Sequence, residues 1–175
     1  MGPLEPLPNL LAGGLLLSLL LPLALIDLRT MRLPEPICRW GVISGLVLST
    51  LAGWWLGLGT ELLLWHALAA ATGLLMFEAI SGLGEKLLGA PALGLGDAKL
   101  AALLGAWLGL QGLAVACAVA VVFGAAFGLA GRLSGWLGPK QPFPFGPFLA
   151  VGGLLSWLAC DALWALLINP GPMGL

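Results

Sequence analysis

Long apolar stretches, broken only by short charged or turn-forming segments, decide what this chain can fold into. A helix needs about 20 apolar residues to cross the hydrocarbon core of a bilayer. Six stretches qualify or come near: 10–26, 37–58, 62–80, 98–110, 112–130 and 148–168. The fourth is short for a full crossing and needs a recessed start or a locally thinned bilayer. Its separation from the fifth rests on Gly109, Gln111 and Gly112 alone. With 60% of its 175 residues hydrophobic and 9% charged, the chain holds more apolar surface than a soluble domain can hide. The expected fold is all-α: a polytopic membrane helical bundle of about six transmembrane helices. It forms a single membrane-embedded domain over 1–175.

Charge orients the bundle. Arg29, Arg32 and Arg39 lie at the first loop, Lys86 and Lys99 flank the third, and Arg132 and Lys140 fall in the fifth. Basic residues gather on the cytoplasmic side, so the odd loops face the cytoplasm and both termini face outward. Trp54, Trp55, Trp65, Trp107 and Trp164 then fall towards the outer interface, where indole rings prefer to lie. Residues 1–9 lack the basic segment of a secretory signal and read as an extracytoplasmic tail before a retained anchor. This topology fits a cell inner (cytoplasmic) membrane, with lipids as the surrounding partner.

Other partner classes drop out. Net charge is −1 and no basic patch exists, so no nucleic acid is expected. Cys38, Cys117 and Cys160 form no C-x-x-C pair, and His66 is the only histidine, so neither zinc nor another cofactor is expected. Glycine and alanine run through the spans and let helices approach closely. Gly124-x-x-x-Gly128 is assigned to internal packing, with a homo-oligomer face as its other use.

Two acids stand where charge is costly. Asp27 ends the first span and Asp97 begins the fourth, both on the cytoplasmic side, and an ionisable residue at membrane depth reads first as functional. Two carboxylates from different helices are the minimum equipment of an aspartyl hydrolase. One takes a proton from water while the other, protonated, polarises a scissile carbonyl. The helix ends suggest a division of labour: Asp97, at a helix N-terminus, as base and Asp27, at a helix C-terminus, as acid. Gly94 and Gly96 lack a Cβ, so the backbone beside Asp97 can lie against an extended substrate chain and pair with it. The plainer reading makes Asp97 a helix cap.

The other acids have humbler readings. Glu5 and Glu61 are outward and solvated, while Glu35 and Glu85 are loop charges with Glu35 or Glu85 as contacts for a basic peptide. Glu78 is expected to pair with Lys86 or Lys99. Lys99 either helps hold Asp97 ionised or snorkels to the interface. Asp161, inside the last span, is expected to be protonated and hydrogen-bonded, with His66 the nearest partner by depth. A small transporter or proton channel using Asp161, His66 and Glu78 is therefore the alternative function. Pro139–Pro147 cannot be a continuous helix. Its Phe143 and Phe145, with Phe148 beyond, are candidates to line the way in for a hydrophobic substrate segment.

Three segments in order resemble one family. Asp27-Leu-Arg-Thr-Met-Arg-Leu-Pro34 resembles the first aspartate motif of type IV prepilin peptidases, and Gly94-Leu-Gly-Asp-Ala-Lys-Leu-Ala-Ala-Leu-Leu-Gly-Ala-Trp-Leu-Gly109 is similar to the second. Pro144-Phe-Gly-Pro-Phe-Leu149 resembles the segment ahead of that family's last helix. The resemblance implies a GxGD-type membrane aspartic endopeptidase with Asp27 and Asp97 catalytic, and Pro34, Gly94, Gly96 and Lys99 as positioning residues of the motifs. Its implied substrates are prepilin-like proteins (pilins, pseudopilins or archaellins) that lose a short basic leader, commonly after a glycine. The four-cysteine zinc segment of larger members has no counterpart here, so the resemblance implies the catalytic core alone and does not extend to N-methyltransferase activity. Glu35 stands where the family often has Asp. The presenilin and signal-peptide-peptidase class shares G-x-G-D, but its Pro-Ala-Leu motif follows that segment, whereas Pro91-Ala92-Leu93 precedes it here.

Overall fold

The first helix carries one buried stripe, Leu16, Leu20, Leu23 and Asp27, at the three- and four-residue spacing that puts side chains on one helix face. Its remaining leucines, among them Leu10, Leu11, Leu21, Leu25 and Leu28, are exposed and suit a lipid surround. The structure, a computed structural model, describes residues 6–88, 94–136, 138 and 143–168, with the side chains of 6–9, 88, 161, 164–166 and 168 excepted. Glu5, Pro91-Ala92-Leu93 and Lys140, and the side chains of Asp161 and Trp164, lie outside the described residues. The described helices are α1 (Pro6–Thr30), α2 (Glu35–Trp55), α3 (Glu61–Leu88), α4 (Leu95–Leu133) and α5 (Gly146–Ile168). Four of them, α1 to α4, contain segments long and apolar enough to cross a membrane, and α5 contributes the shorter apolar helix Gly146–Cys160. The chain is an all-helical, multi-pass membrane protein.

One expectation changes form. The expected spans 98–110 and 112–130 belong to one continuous assignment, α4, interrupted by Gly109 at φ 68°, ψ −175°. Residues before and after Gly109 run in opposite directions along α5. Leu104 lies at Gly153 and the Trp107 ring meets Trp157 edge-on at 6.5 Å, so the N-terminal arm runs parallel to α5. Gly112 then lies at Ser156, Ala116 at Gly152, and Gly124 at Phe145 and Phe148, so the C-terminal arm returns. Gly109 is where the chain doubles back.

Two neighbours secure this bend. Carbonyls in the last turn of a helix lack intrahelical partners, and that of Ala106, just before the break, is one of them. The His66 ring on α3 donates from Nδ1 to the Ala106 carbonyl at 2.9 Å, and Ser156 Oγ on α5 donates to the Gly112 carbonyl at 2.8 Å. The dihedrals of Gly109 fall in a region that is essentially glycine-only. A Cβ there would stand 3.4 Å from His66 Nε2, an ordinary contact, so substitution acts through the backbone. Gly109→Ala is expected to cost about 1–3 kcal/mol of stability. Equilibrium unfolding in mixed micelles checks it, with Gly14→Ala, whose added Cβ meets nothing, as the neutral comparison.

The N-terminal arm of α4 is the centre of the bundle. Leu100, Leu103 and Leu104 are fully buried, with α2, α3 and α5 packed around them. The buried face of α2 is Cys38, Gly41, Gly45, Ser49 and Gly53, small enough to admit Leu103 at Gly41 and Trp107 at Gly45. Trp107 corrects an expectation. Its ring is buried against α2, where Nε1 donates to the Gly41 carbonyl at 2.8 Å, and it is not an interfacial anchor. Trp54, Trp55 and Trp65 are exposed, as an interfacial position requires. Gly124 and Gly128 receive Phe145, Phe148 and Phe143, so this pair serves internal packing.

Candidate active site

Three helix ends meet at one end of the bundle. The α1 stripe continues to Asp27, which is 5% exposed. Asp97 stands in the first turn of α4 and is 7% exposed. Coulombic interaction links the two carboxylates, so they lie within electrostatic reach of each other. The third end is that of α5, whose Gly146 N–H donates to Asp27 Oδ2 at 3.1 Å across 119 residues of sequence. Asp97 Oδ2 accepts from the Gly94 N–H at 3.1 Å. Each acid is therefore held by one backbone donor on one oxygen.

The local sequence explains each placement. Gly94 is the N-cap of α4, and an acid three residues on can reach back to the N-cap amide, the reciprocal half of a capping box. The plainer reading makes Asp97 the N-cap; Gly94 takes that place, and Asp97 makes a capping contact from the third helical position. It uses one oxygen and gives no reason for a second buried acid to approach. On α5, proline follows Gly146, a residue suited to the first helical turn because its missing N–H would be unpaired there. The nearby Gly146 N–H remains free to serve Asp27. A Cβ at Gly146 would stand 2.6 Å from Asp27 Oδ2, so the acid needs glycine at this position.

Other expected residues take different partners. The helix-end division of labour considered Asp27 only at the C-terminus of α1. Because Asp27 also faces the N-terminus of α5, helix ends do not distinguish the two acids. The Gly94 N–H is engaged by Asp97 rather than open to a substrate strand, and Gly96 packs on Leu33, where a Cβ would come within 3.0 Å. Pro34 is the N-cap of α2, so Gly96 joins the turn at Leu33-Pro34 to the start of α4. Lys99 Nζ lies 3.3 Å from Glu35 Oε2, which makes it the partner of the first turn of α2. Glu78 is exposed and, among the described residues, pairs with neither Lys86 nor Lys99. His66 is occupied at the α4 bend.

The aromatic residues form a cluster beside the acids. Phe143, Phe145 and Phe148 are each half-buried. Phe148 lies 5.4 Å from Phe127 and 6.1 Å from Phe143, while Phe145 lies 6.4 Å from Phe77 on α3, all as ring centroids. Among the described residues, no three of His, Cys, Asp and Glu converge as a metal site would need. Two contacts escaped sequence reasoning, Gly146 to Asp27 and Lys99 to Glu35. The proline after Gly146 and the acid after Pro34 were the signals for them.

Sequence comparisons place the chain among known proteins. The profile described as "Type IV leader peptidase family" matches residues 14–129. A prepilin leader peptidase/N-methyltransferase of Burkholderia pseudomallei (strain K96243) is 37% identical over 151 residues, covering 82% of this chain and 44% of the relative. Its counterpart from Aeromonas salmonicida (strain A449) is 34% identical over 153 residues, covering 87% and 50%. That of Bacillus subtilis (strain 168) is 32% identical over 156 residues, covering 87% and 57%. The chain thus spans about half the length of these relatives. No solved structure matches. On the profile match and these similarities together, the chain belongs to the type IV leader peptidase family.

Proposed function

We propose that this chain is a membrane aspartic endopeptidase that removes the short basic leader of prepilin-like precursors at the cytoplasmic membrane face. The observation that carries the reading is the placement of two buried carboxylates, Asp27 and Asp97, within electrostatic reach of each other and each held by a backbone amide. Oδ2 of each acid is engaged by that amide, and Oδ1 serves the reaction. One carboxylate takes a proton as the water oxygen bonds to the scissile carbonyl carbon. The other, protonated, donates to the carbonyl oxygen. Collapse of the tetrahedral intermediate breaks the C–N bond as a proton passes to the leaving amine. Burial keeps these charges in a low-dielectric setting, where their interactions with the transition state are strong.

The topology of this reading is six crossings with both termini outside, α4 supplying two of them. The opposite courses of its arms along α5 support that count. The N-terminal arm, residues 95–108, is roughly 21 Å long at 1.5 Å per residue, less than the hydrocarbon thickness of about 30 Å. It therefore starts below the membrane surface, which suits an acid that must reach a peptide bond near the cytoplasmic end of a substrate's apolar helix. Phe143, Phe145 and Phe148 would face that helix. Two residues of the transporter alternative have other settings, His66 bonded to Ala106 and Glu78 exposed, and the side chain of Asp161 lies outside the described residues.

Reconstitution in liposomes tests the reading. The probe is a synthetic precursor with a short basic leader ending in glycine, joined to an apolar helix. The expected product is the leader cut after that glycine, while an intact precursor after prolonged incubation would count against the assignment. A smaller effect is expected at the ion pair. Lys99 and Glu35 are partly exposed, and such pairs contribute about 1 kcal/mol or less. Glu35→Gln and Lys99→Met are each expected to slow cleavage by less than about tenfold. The double variant should lose no more than either single one, as a double-mutant cycle would read.

A further inference from the structure

We infer that Gly146 is a positioning residue for the reaction, and that the first turn of α5 is a third component of the site. The inference rests on the reading of Asp27 as catalytic. Asp27 is carried by the last turns of α1, and the contact that fixes its carboxylate comes from a different helix. The Gly146 N–H holds Oδ2 at 3.1 Å. The missing side chain matters as much as the amide, because a Cβ would lie 2.6 Å from Oδ2 and 3.0 Å from Cγ. Gly146 therefore holds Oδ2 on its amide and leaves Oδ1 as the oxygen for the reaction.

The arrangement links Asp27 to the aromatic cluster. Phe145 precedes Gly146 in sequence and packs on Gly124, while Phe148 follows within the same turn and packs on Phe127. The start of α5 is thus clamped to the C-terminal arm of α4 on one side and delivers its amide to Asp27 on the other. Asp97 receives its amide from Gly94 within its own helix end. The two acids have the same kind of support from different sources. Only that of Asp27 depends on how α5 is seated.

Gly146→Ala separates this role from plain packing. With the same liposomes and synthetic precursor, kcat is expected to fall by about 100-fold, the effect of displacing a reacting group by about 1 Å. KM should stay within about threefold, since the amide touches the acid and not the peptide. The pH profile of kcat should also change shape, because the lost donor belongs to one member of the titrating pair. Gly14→Ala is the control and should retain the wild-type profile. Unfolding midpoints give a readout independent of activity. Gly146→Ala should destabilise the wild-type chain but not the Asp27→Ala chain, where the obstructing carboxylate is gone. That double variant also covers the case in which Gly146→Ala alone fails to fold.

Wild-type kcat and pH profile in Gly146→Ala would overturn the inference while leaving the peptidase reading intact, provided Asp27→Ala is inactive. Equal destabilisation in both backgrounds, or failure of both to fold, would make Gly146 a packing residue only and overturn it too. Undiminished cleavage by Asp27→Ala would remove the peptidase reading and this inference with it.

Discussion

Asp97→Asn is expected to fold as the wild type does and to lose cleavage by about 10³-fold or more, the scale of a general acid or base. Asparagine keeps the shape of aspartate and a carbonyl oxygen that can accept from the Gly94 N–H, now at 3.1 Å from Oδ2. In this half of a capping box the N3 acceptor is carboxylate or amide, so a neutral side-chain oxygen can serve. Stability should therefore change little. What asparagine cannot do is accept a proton from water or give one to a carbonyl. The variant thus separates the two readings of this residue, because a chain that needs Asp97 only as a cap would still cleave. Asp27→Asn should behave alike, its amide oxygen accepting from Gly146. Cleavage of the synthetic precursor, read beside the unfolding midpoint of each variant, is the measurement. Retained cleavage in either would refute the two-carboxylate mechanism.

The acids were legible in the sequence because charge is rare in an apolar chain and because each sits at a predicted helix end. Their support was not. The partner of Asp27 lies 119 residues away, and a backbone amide has no letter in the sequence. Gly146 was visible only as part of a motif. The same limit applies to the helix-end division of labour, since a helix end arriving from elsewhere changes the local field at Asp27. Lys99 was read against Asp97, its nearest acid in sequence, yet it reaches Glu35 on another helix. The turn at Gly109 was marked only by Gly109, Gln111 and Gly112 together, since glycine in these apolar runs also serves packing. That His66 secures this turn was not legible, as the ring's partner is again a carbonyl. Trp107 misled because an indole near a predicted span end reads as an anchor, whereas the glycines of α2 open a slot that buries it.

Gly105→Leu is expected to prevent formation of the folded protein, and Gly105→Ala to destabilise it clearly. The most visible small-residue pair in the sequence, Gly124-x-x-x-Gly128, accommodates phenylalanine rings. A tight backbone approach lies elsewhere, between Ala69-x-x-x-Gly73 on α3 and Ala101-x-x-x-Gly105 on α4. A Cβ on Gly105 would stand 2.5 Å from the Ala69 carbonyl oxygen, and one on Gly73 would stand 2.8 Å from that of Ala101. Two helices in lipid gain no hydrophobic drive to associate, so their attraction depends on such contact. Backbone atoms cannot rotate away, and overpacking costs about 1–3 kcal/mol or more. Gly41→Ala supplies the contrast. Its added Cβ meets Cδ1 and Cγ of the Leu103 side chain and no backbone, and a side chain can shift where backbone cannot, so the loss should be smaller. Unfolding midpoints should rank wild type, then Gly41→Ala, then Gly105→Ala, with Gly105→Leu unfolded or aggregated. The same arm of α4 carries Asp97, so forcing α3 and α4 apart also disturbs its approach to Asp27. Cleavage should fall in the same order as stability. A folded, active Gly105→Leu would mean that this contact does not hold the acids together.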